Sequence, residues 1–499
     1  MTIRRVLVAN RGEIAVRIAR ACREAGIESV AVYSDADRGG LHTRLSDRAV
    51  RIGPASPAES YLSIAALIDA ARETGSDAVH PGYGFLAERP EFARACEEAG
   101  LIFIGPPADV IERMGSKIAA RELMRSAGVP VVPGQTPEDQ TDDDILQAAR
   151  SIGYPVLVKA SAGGGGKGMR AVRSDAEARD AIQAARRESA AAFGDGTLYI
   201  ERLIERPRHI EIQVFADSHG TVVHLFEREC SLQRRHQKVV EETPSAAVTP
   251  ALRGRMGEAA VAAARAAGYT GAGTIEFLVE GEGDRAAFYF LEMNTRLQVE
   301  HPVTEAVTGV DLVLAQLAVA AGEPLPWQQA DLLQRGHAIE CRVYAEDPGN
   351  GFLPQAGPLL LYREPSGPGL RVDSGFAEGD EIAVTYDPLI AKLVAYGETR
   401  DAAIRRAATG LRGYPILGVR TNTAFLLRLL EDEAFRVGDV HTGYIDAHID
   451  RLTDAAAAVP AEVLAAAAVA HAAVPAAQSR NAEPAAAVDP WATLDGWGR

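Results

Sequence analysis

The stretch from Phe290 to Pro302 constrains this chain more than any other. Its polar residues recur at every second position, at Glu292, Asn294, Arg296, Gln298 and Glu300. In an extended segment this spacing places all five side chains on one face, over an apolar opposite face. A rise of about 3.3 Å per residue separates Glu292 from Glu300 by roughly 26 Å. The stretch predicts the floor of a cleft, with an acidic end suited to a cation and an Arg/Glu end suited to a small anion. An ordinary half-solvated strand shows the same alternation, so other segments must decide between the two.

Composition excludes several classes of protein. A length of 499 residues predicts two to four domains, and 47% hydrophobic with 24% charged residues is typical of a globular protein. The net charge of −16 argues against a nucleic-acid binder and against an anionic membrane surface. No apolar run approaches the ~20 residues of a membrane helix, and no signal peptide is recognisable. The four cysteines lack metal-ligand spacing, which predicts free thiols and a cytoplasmic location.

Lysine is rare in this chain. Only five of the 52 basic residues are lysine, namely Lys117, Lys159, Lys167, Lys238 and Lys392. Arginine therefore serves almost every general surface role. A lysine that remains is expected to be needed as a compact ammonium, which a planar guanidinium cannot replace.

Residues 1–114 predict a doubly wound α/β domain. A strand at 5–9, a helix ending at Gly26 and a strand at 30–33 form a βαβ unit. Its first turn has one glycine where a dinucleotide fingerprint needs three, which argues against a nicotinamide cofactor. The run from His80 to Phe85, which contains Tyr83, follows a strand at the sheet edge where ligands bind.

Residues 115–335 contain the parts of a phosphate site. Lys117 opens a helix, and Lys159 ends a strand that leads into a glycine-rich hairpin at 161–168. Bare amides in such a hairpin can close over phosphate oxygens, although a glycine run can equally be a simple turn. No Ser or Thr follows Lys167, so the hairpin is not a Walker A loop.

Two carboxylates are expected to meet on neighbouring strands. Antiparallel pairing of 274–278 with 288–294 would place Glu276 beside Glu292. With the amide oxygen of Asn294 they form a ligand set suited to Mg²⁺ or Mn²⁺. The cationic segment 228–238 is either a solvated loop or a counter-charge for an anionic substrate, and Lys238 favours the second.

The remaining chain predicts an α+β domain at 336–450, followed by an Ala/Pro-rich linker and a tail with two tryptophans at 451–499. The tail is either an anchor for another domain or a frayed end.

Four long runs resemble biotin carboxylase, an ATP-grasp enzyme and the ATP-dependent component of acyl-CoA carboxylases of the acetyl-CoA and propionyl-CoA type. The runs are His80–Phe85, Gln233–Lys238, Glu292–His301 and Glu340–Pro348. The resemblance covers about residues 1–450. It implies a multidomain α/β and α+β fold: a doubly wound pre-ATP-grasp domain, an ATP-grasp domain with a glycine-rich lid at about 131–203, and a C-terminal α+β domain.

The resemblance also implies the roles of individual residues. ATP would be bound by Lys117, Lys159, Gly165, Gly166, Glu201, Ile204, His209, Gln233 and His236. Two metal ions would be held by Glu276, Glu292 and Asn294, and bicarbonate by Lys238, Arg296, Gln298 and Val299. Glu300 would be the base, Arg296 would stabilise the biotin enolate, and Arg342 and Tyr83 would lie towards biotin. Two positions depart from the family pattern, Ala162 in the hairpin and Thr442 near adenine.

The chain lacks a Met-Lys-Met biotinylation site, so biotin is expected to arrive on a separate carrier protein or domain. A carboxyltransferase partner and a homodimer are further family expectations. Two alternatives remain open: another ATP-grasp ligase that forms an amide through an acyl phosphate, and a catalytically silent docking subunit.

Overall fold

A parallel sheet built from short apolar runs begins the chain. The computed structural model describes residues 2–161 and 169–453. The strands of the first sheet are β1 (Arg5–Val8), β2 (Glu28–Ser34), β3 (Arg48–Gly53), β4 (Ala78–His80) and β5 (Ile102–Phe103). Its helices are α1 (Gly12–Glu24), α2 (Leu41–Leu45), α3 (Ile64–Thr74), α4 (Pro90–Glu98) and α5 (Ala108–Gly115). The strand order β3-β2-β1-β4-β5 winds outward from β1 in both directions, which confirms the doubly wound prediction.

A small sheet carries the segment predicted to be a lid. It follows α6 (Lys117–Ser126), which packs against the large sheet, and its elements are β6 (Gly134–Gln135), α7 (Asp142–Ile152), β7 (Val156–Ala160), β8 (Arg170–Val172), α8 (Asp175–Phe193) and β9 (Leu198–Arg202). The strand order is β6-β9-β7-β8, and Ile145, Ile182 and Ile200 belong to a core of its own. Antiparallel pairing of β7 with β8 confirms the predicted hairpin. Gly165 and Gly166 lie outside the described residues, as does Ala162.

The largest sheet is antiparallel and has eight strands. The strands after β9 are β10 (Arg208–Ala216), β11 (Val222–Arg234), β12 (Gln237–Thr243), β13 (Gly271–Glu280), β14 (Ala287–Asn294), β15 (His337–Tyr344), β16 (Glu346–Asp347), β17 (Leu353–Pro354), β18 (Gly357–Pro358), β19 (Leu361–Tyr362), β20 (Leu370–Ser374), β21 (Glu381–Ile382), β22 (Leu389–Gly397) and β23 (Ile416–Leu417). The helices are α9 (Pro250–Ala267), α10 (His301–Thr308), α11 (Leu312–Ala320), α12 (Arg400–Arg412), α13 (Thr423–Glu431), α14 (Glu433–Val437), α15 (Tyr444–Ala447) and α16 (Ile449–Thr453). The strand order is β14-β13-β10-β11-β12-β15-β22-β20, so strands from both sides of the predicted domain boundary at residue 335 belong to one sheet.

Helix starts follow from the local sequence. Helices α3, α6, α7, α9 and α12 each begin directly after a Ser or Thr whose hydroxyl accepts a backbone N–H three residues on. Among the described residues, no single helix is long and apolar enough to cross a bilayer. Only α10 and α11 taken together reach that composition, and they meet at a bend of 97°.

One prediction about an element was wrong. The stretch 290–302 is not one extended segment, because β14 ends at Asn294 and a loop at 295–300 leads into α10. In the part predicted as an α+β domain, the segment 357–362 forms two short strands on different partners, β18 on β21 and β19 on β23. The domain boundaries at 114, 335 and 450 stay predictions, and the tail from 454 onwards lies outside the described residues.

Candidate active site

A cavity of about 800 Å³ lies where the small sheet faces the large one. Sixteen residues predicted from the sequence line it: Lys117, Lys159, Glu201, Ile204, His209, Gln233, His236, Lys238, Glu276, Glu292, Asn294, Arg296, Gln298, Val299, Glu300 and Arg342. Thr442, the position at which the adenine contact was in question, is also part of the lining. The structure thus brings residues as distant in the chain as Lys117 and Thr442 together in one cavity.

The acidic end of the cavity is built by strand register. Glu276 on β13 pairs directly with Glu292 on β14, as predicted from the alternation of polar residues. The amide nitrogen of Asn294 donates to Oε1 of Glu276 at 2.8 Å. Burial and the neighbouring Glu276 raise the pKa of Glu292, against the pull of Lys117. Two buried carboxylates beside an amide oxygen are an oxygen-donor set that fits a divalent cation.

Lys238 is the central cation of the cavity. Its Nζ lies 2.6 Å from Glu211, 2.8 Å from Glu276 and 2.6 Å from Glu300. Burial would lower the pKa of this lysine, but the three carboxylates outweigh burial and hold the pKa well above its ordinary value. Lys238 therefore stays charged and joins the acidic end of the cavity to Glu300.

Glu300 is fully buried and lies immediately before α10. Its second oxygen accepts from NH2 of Arg342 at 2.9 Å. Burial opposes ionisation, yet Lys238, Arg342 and Arg228 hold the pKa of Glu300 well below its ordinary value. The neighbouring cations thus keep this carboxylate ionised although it is buried.

Arg296 spans the gap between the two ends of the predicted cleft floor. Its guanidinium donates to Glu88 at 2.9 Å, to Oε1 of Gln298 at 2.7 Å and to Oδ1 of Asn294 at 3.1 Å. The planar fork is held by partners on three sides, which fixes its orientation.

The end of the cavity at which phosphate is predicted to bind is formed by the small sheet and α6. Nζ of Lys159 lies 2.8 Å from Oε2 of Glu201, and Arg121 donates to the other oxygen of that carboxylate. Lys117 stands at the first position of α6, and burial lowers its pKa. Ammonium groups at a helix start and a strand end are well placed for an anionic group in the cavity. His209 lies 2.9 Å from Oε2 of Glu276, so it belongs to the acidic end.

A second cavity of about 530 Å³ adjoins the first and contains Tyr83, the one predicted site residue absent from the larger cavity among those described. Four residues line both cavities: Gln237, Arg296, Val299 and Arg342. Tyr83 donates its phenol proton to Glu13, the second residue of α1. The end of the site that contains Arg296 and Arg342 therefore opens towards two separate chambers.

Several residues of the site were missed from the sequence. Arg228 is completely buried, contacts Glu211, and donates to Gln213 at 2.7 Å. Glu241 accepts from Nε of Arg342 at 2.6 Å; burial raises the pKa of this carboxyl to about 7, although Arg342 acts to lower it. The cationic segment 228–238 is accordingly a hairpin whose first strand is buried up to Gln233, while its turn at Arg235 and His236 is exposed. The alternation of His209, Glu211 and Gln213 was the available signal for Glu211.

Comparison with known proteins assigns the chain to a family. Residues 2–111 match the family described as biotin carboxylase, N-terminal domain, and residues 340–447 match the biotin carboxylase C-terminal domain. Residues 116–328 match the carbamoyl-phosphate synthase L chain, ATP binding domain. Biotin carboxylase 1 of Bacillus subtilis is 50% identical over 446 residues, which is 89% of this chain and 99% of that protein. The chain belongs to the biotin carboxylase family.

Two solved biotin carboxylase structures have the same fold. The Campylobacter jejuni enzyme, solved as a β-γ-ATP complex, superposes with a TM-score of 0.86 at 43% identity and covers 90% of this chain and 99% of its own. The biotin carboxylase domain dimer of Hydrogenobacter thermophilus 2-oxoglutarate carboxylase was solved with MgADP, ADP and bicarbonate. It superposes with a TM-score of 0.87 at 46% identity, over 92% of this chain and 100% of its own.

Relatives of different length contain this biotin carboxylase unit. The chain covers 62% of the methylcrotonoyl-CoA carboxylase α protein of Rattus norvegicus, at 50% identity over 448 residues and 90% of this chain. It covers 89% of a pyruvate carboxylase component from Methanothermobacter thermautotrophicus, at 54% identity over 442 residues and 89% of this chain. The chain thus spans less than two thirds of the first relative and most of the second.

Proposed function

We propose that this chain carboxylates biotin with bicarbonate and ATP, through carboxyphosphate. The observation that carries the proposal is the wall shared by the two cavities. Arg296, Val299 and Arg342 face both chambers, so an anion held there can be activated from the larger cavity and passed to an acceptor in the smaller one. An enzyme that consumes ATP and then transfers a carboxyl group needs two such chambers with one common anion site.

The larger cavity would hold the nucleotide. Lys117 and Lys159 would contact its phosphates, and the small sheet, predicted as a lid, would close over it and exclude water. Glu276, Glu292 and Asn294 would hold Mg²⁺ or Mn²⁺, and when bound these ions supply neutralising charge at the transferring phosphoryl group. The remaining adenine and ribose contacts are assigned to Ile204, His209, Gln233 and His236, and Glu201 would orient Lys159.

Glu300 would act as the base in the first step. Bicarbonate would lie between Lys238 and Arg296, and the Glu300 carboxylate would take its proton while a bicarbonate oxygen attacks the γ-phosphorus. The bond from that phosphorus to the ADP oxygen breaks, which gives ADP and carboxyphosphate. Bicarbonate would draw the Lys238 ammonium away from Glu300, so we infer that the pKa of Glu300 rises when the substrate binds and makes the carboxylate a stronger base.

The smaller cavity would receive biotin. Arg342 and Tyr83 would face its ureido ring, and Arg296 would stabilise the enolate that forms when the ureido nitrogen loses its proton. Carboxyphosphate from the adjoining chamber would then transfer its carboxyl group to that nitrogen: the N–C bond forms, the C–O bond to the phosphate group breaks, and the released phosphate takes up the ureido proton. Biotin would be delivered by a separate carrier protein or domain, and a carboxyltransferase would use the product. The acyl-CoA acceptor of such an assembly, a homodimer and a cytoplasmic location stay predictions.

The amide-forming ligase is the weaker alternative. Matches to the two biotin carboxylase end domains flank the ATP-binding segment, and an amide-forming ligase would not need Lys238, Arg296 and Glu300 together. A transfer assay separates the two. We expect label from ¹⁴C-bicarbonate to appear on free biotin, or on a biotinylated carrier domain, only with ATP and Mg²⁺. Label that never reaches biotin, combined with ATP cleavage supported by an amine, would contradict the proposal.

A further inference from the structure

Lys392 is a buried lysine that none of the roles above uses. It stands on β22, its side chain is completely buried, and it is absent from the described lining of both cavities. Its Nζ donates to the backbone carbonyl of Val299 at 2.7 Å. Val299 is the residue immediately before Glu300, in the loop at 295–300. A buried ammonium therefore contacts the backbone that carries the proposed base.

Strand register explains why the contact forms. Lys392 pairs with Arg342 across β15 and β22, so both side chains project from the same face of the large sheet. Arg342 contacts the carboxylate of Glu300, and Lys392 contacts the carbonyl that precedes it. Two neighbouring cations thus hold the loop at 295–300: Arg342 through the side chain of Glu300, and Lys392 through the backbone of Val299.

The charge of Lys392 is balanced by Glu13 of helix α1 and by Asp373 of strand β20. Oε1 of Glu13, on α1, lies 3.2 Å from Nζ, and Oδ2 of Asp373 lies 4.0 Å away. Glu13 also accepts the phenol proton of Tyr83, which lines the second cavity. Through Glu13, Lys392 joins a wall of the second cavity to the loop that carries Glu300.

The chemistry of this position calls for lysine. A compact ammonium has three donors and can serve a carbonyl and carboxylates that converge from different elements. A guanidinium is larger and planar, and the site has no exposed side on which it could spread. Burying an ammonium is costly, and a hydrophobic side chain would fill the same volume more cheaply if packing were the only requirement.

We propose that Lys392 is a positioning residue for the carboxylation reaction: it fixes the Val299 carbonyl and thereby the placement of Glu300 and of bicarbonate. This role rests on the proposed function, because it acts on the base and anion site of that reaction. Displacing a reacting group by about 1 Å can cost on the order of a hundredfold in rate. Lys392→Met is therefore expected to lower kcat/KM for bicarbonate about a hundredfold and to leave the affinity for ADP within about twofold.

Glu13 allows positioning to be separated from simple charge balance. The double variant Glu13→Gln with Lys392→Met removes both charges of the buried pair, while glutamine can still accept the Tyr83 phenol proton. If Lys392 only neutralised Glu13, the double variant would recover both stability and activity. If Lys392 positions Val299, the double variant recovers melting temperature but keeps the hundredfold deficit in kcat/KM.

Hydrogen exchange gives a readout that does not depend on turnover. The N–H of Val303 donates to the carbonyl of Glu300, and that of His301 to Gln298. Amides at 299–303 are expected to exchange faster in both variants than in the unaltered chain. Arg253→Met is the matched control, because it removes the partner of the buried carboxylate Glu227 and neither residue lines either cavity.

The outcomes are distinct. The proposal is overturned if the double variant regains activity to within about threefold of the unaltered chain, or if Lys392→Met leaves the bicarbonate kinetics unchanged. It is also overturned if neither variant folds, because Lys392 would then be required for folding itself. An unaltered chain that cleaves ATP without bicarbonate would instead overturn the proposed function.

Discussion

The ammonium nitrogen of Lys238 lies 2.6 Å from Oε1 of Glu300, in the interior of the larger cavity. The same ammonium contacts Glu211 and Glu276, so one cation links the proposed metal ligands to the proposed base. This arrangement holds the pKa of Glu276 and the pKa of Glu300 below their ordinary values although both carboxylates are buried. It also provides a positive charge that an incoming anion can share, which is what a bicarbonate site requires.

Removing the Lys238 charge is expected to damage both stability and activity. Lys238→Met leaves three buried carboxylates without their common partner, and breaking a buried pair of this kind costs about 3–5 kcal/mol. Denaturant unfolding and bicarbonate-dependent ATP cleavage would measure the two effects. Lys238→Arg should not restore activity, because a planar fork cannot reach three carboxylates that surround a point charge. Full activity in the arginine variant would contradict this account.

Arg296 is expected to contribute to the transition state rather than to nucleotide binding. Losing one preorganised donor to a developing oxyanion costs about 3–4 kcal/mol, so Arg296→Met should lower kcat by about two to three orders of magnitude. ADP affinity, measured by calorimetry, should change little. A variant with normal kcat and weak ADP binding would place Arg296 in the nucleotide site instead.

Glu292 connects metal binding to stability. Burial and Glu276 raise its pKa, so its charge destabilises the folded chain near neutral pH when no cation is bound. Glu292→Gln should therefore raise the melting temperature without Mg²⁺ and reduce the further rise that Mg²⁺ causes. Glu280→Gln is the control, since this carboxylate lies on the neighbouring strand β13 but pairs with Arg202. An equal Mg²⁺ response in unaltered chain and Glu292→Gln would exclude Glu292 as a ligand.

Acid should destabilise the first sheet through His42. Burial lowers the pKa of this histidine to about 4 from an ordinary value of 6.5, against the pull of Asp37. A depressed pKa means that the unfolded chain gains the proton first, so stability is present above pH 6.5 and is lost as the pH falls towards about 4. The loss is about 3 kcal/mol at about 1.4 kcal/mol per pKa unit. In His42→Gln the unfolding free energy should change less between pH 6.5 and about 4 than it does in the unaltered chain. If the two curves of unfolding free energy against pH are parallel, His42 is not the group responsible for the loss of stability in acid.

Local pattern predicted the parts of the site that strand alternation and register determine. The pairing of Glu276 with Glu292 followed from alternation on two strands, and the scarcity of lysine singled out Lys117, Lys159 and Lys238, which line the larger cavity. Of the four lysines within the described residues, three line the larger cavity. The fourth, Lys392, donates to the carbonyl of Val299 in the loop at 295–300.

Other features depend on contacts between distant segments. Polar alternation continues past Asn294 without a glycine or proline before Pro302, so nothing local marks the end of the strand. Arg228 resembles any surface arginine until β10 and β11 pair and place it opposite Glu211. The large sheet also extends across the predicted domain boundary at residue 335. This requires β12 to pair with β15, and the paired residues are about a hundred positions apart in the chain.

The most direct test is the rate of ADP release with Mg²⁺ and ATP, measured with and without bicarbonate and free biotin, in the unaltered chain and in Glu300→Gln. The account predicts release that requires bicarbonate, is stimulated by biotin, and collapses in the variant while ADP affinity persists. ADP release that does not depend on bicarbonate would contradict the carboxylase reaction. Bicarbonate-dependent release that survives in Glu300→Gln would retain the reaction and contradict the assignment of the base.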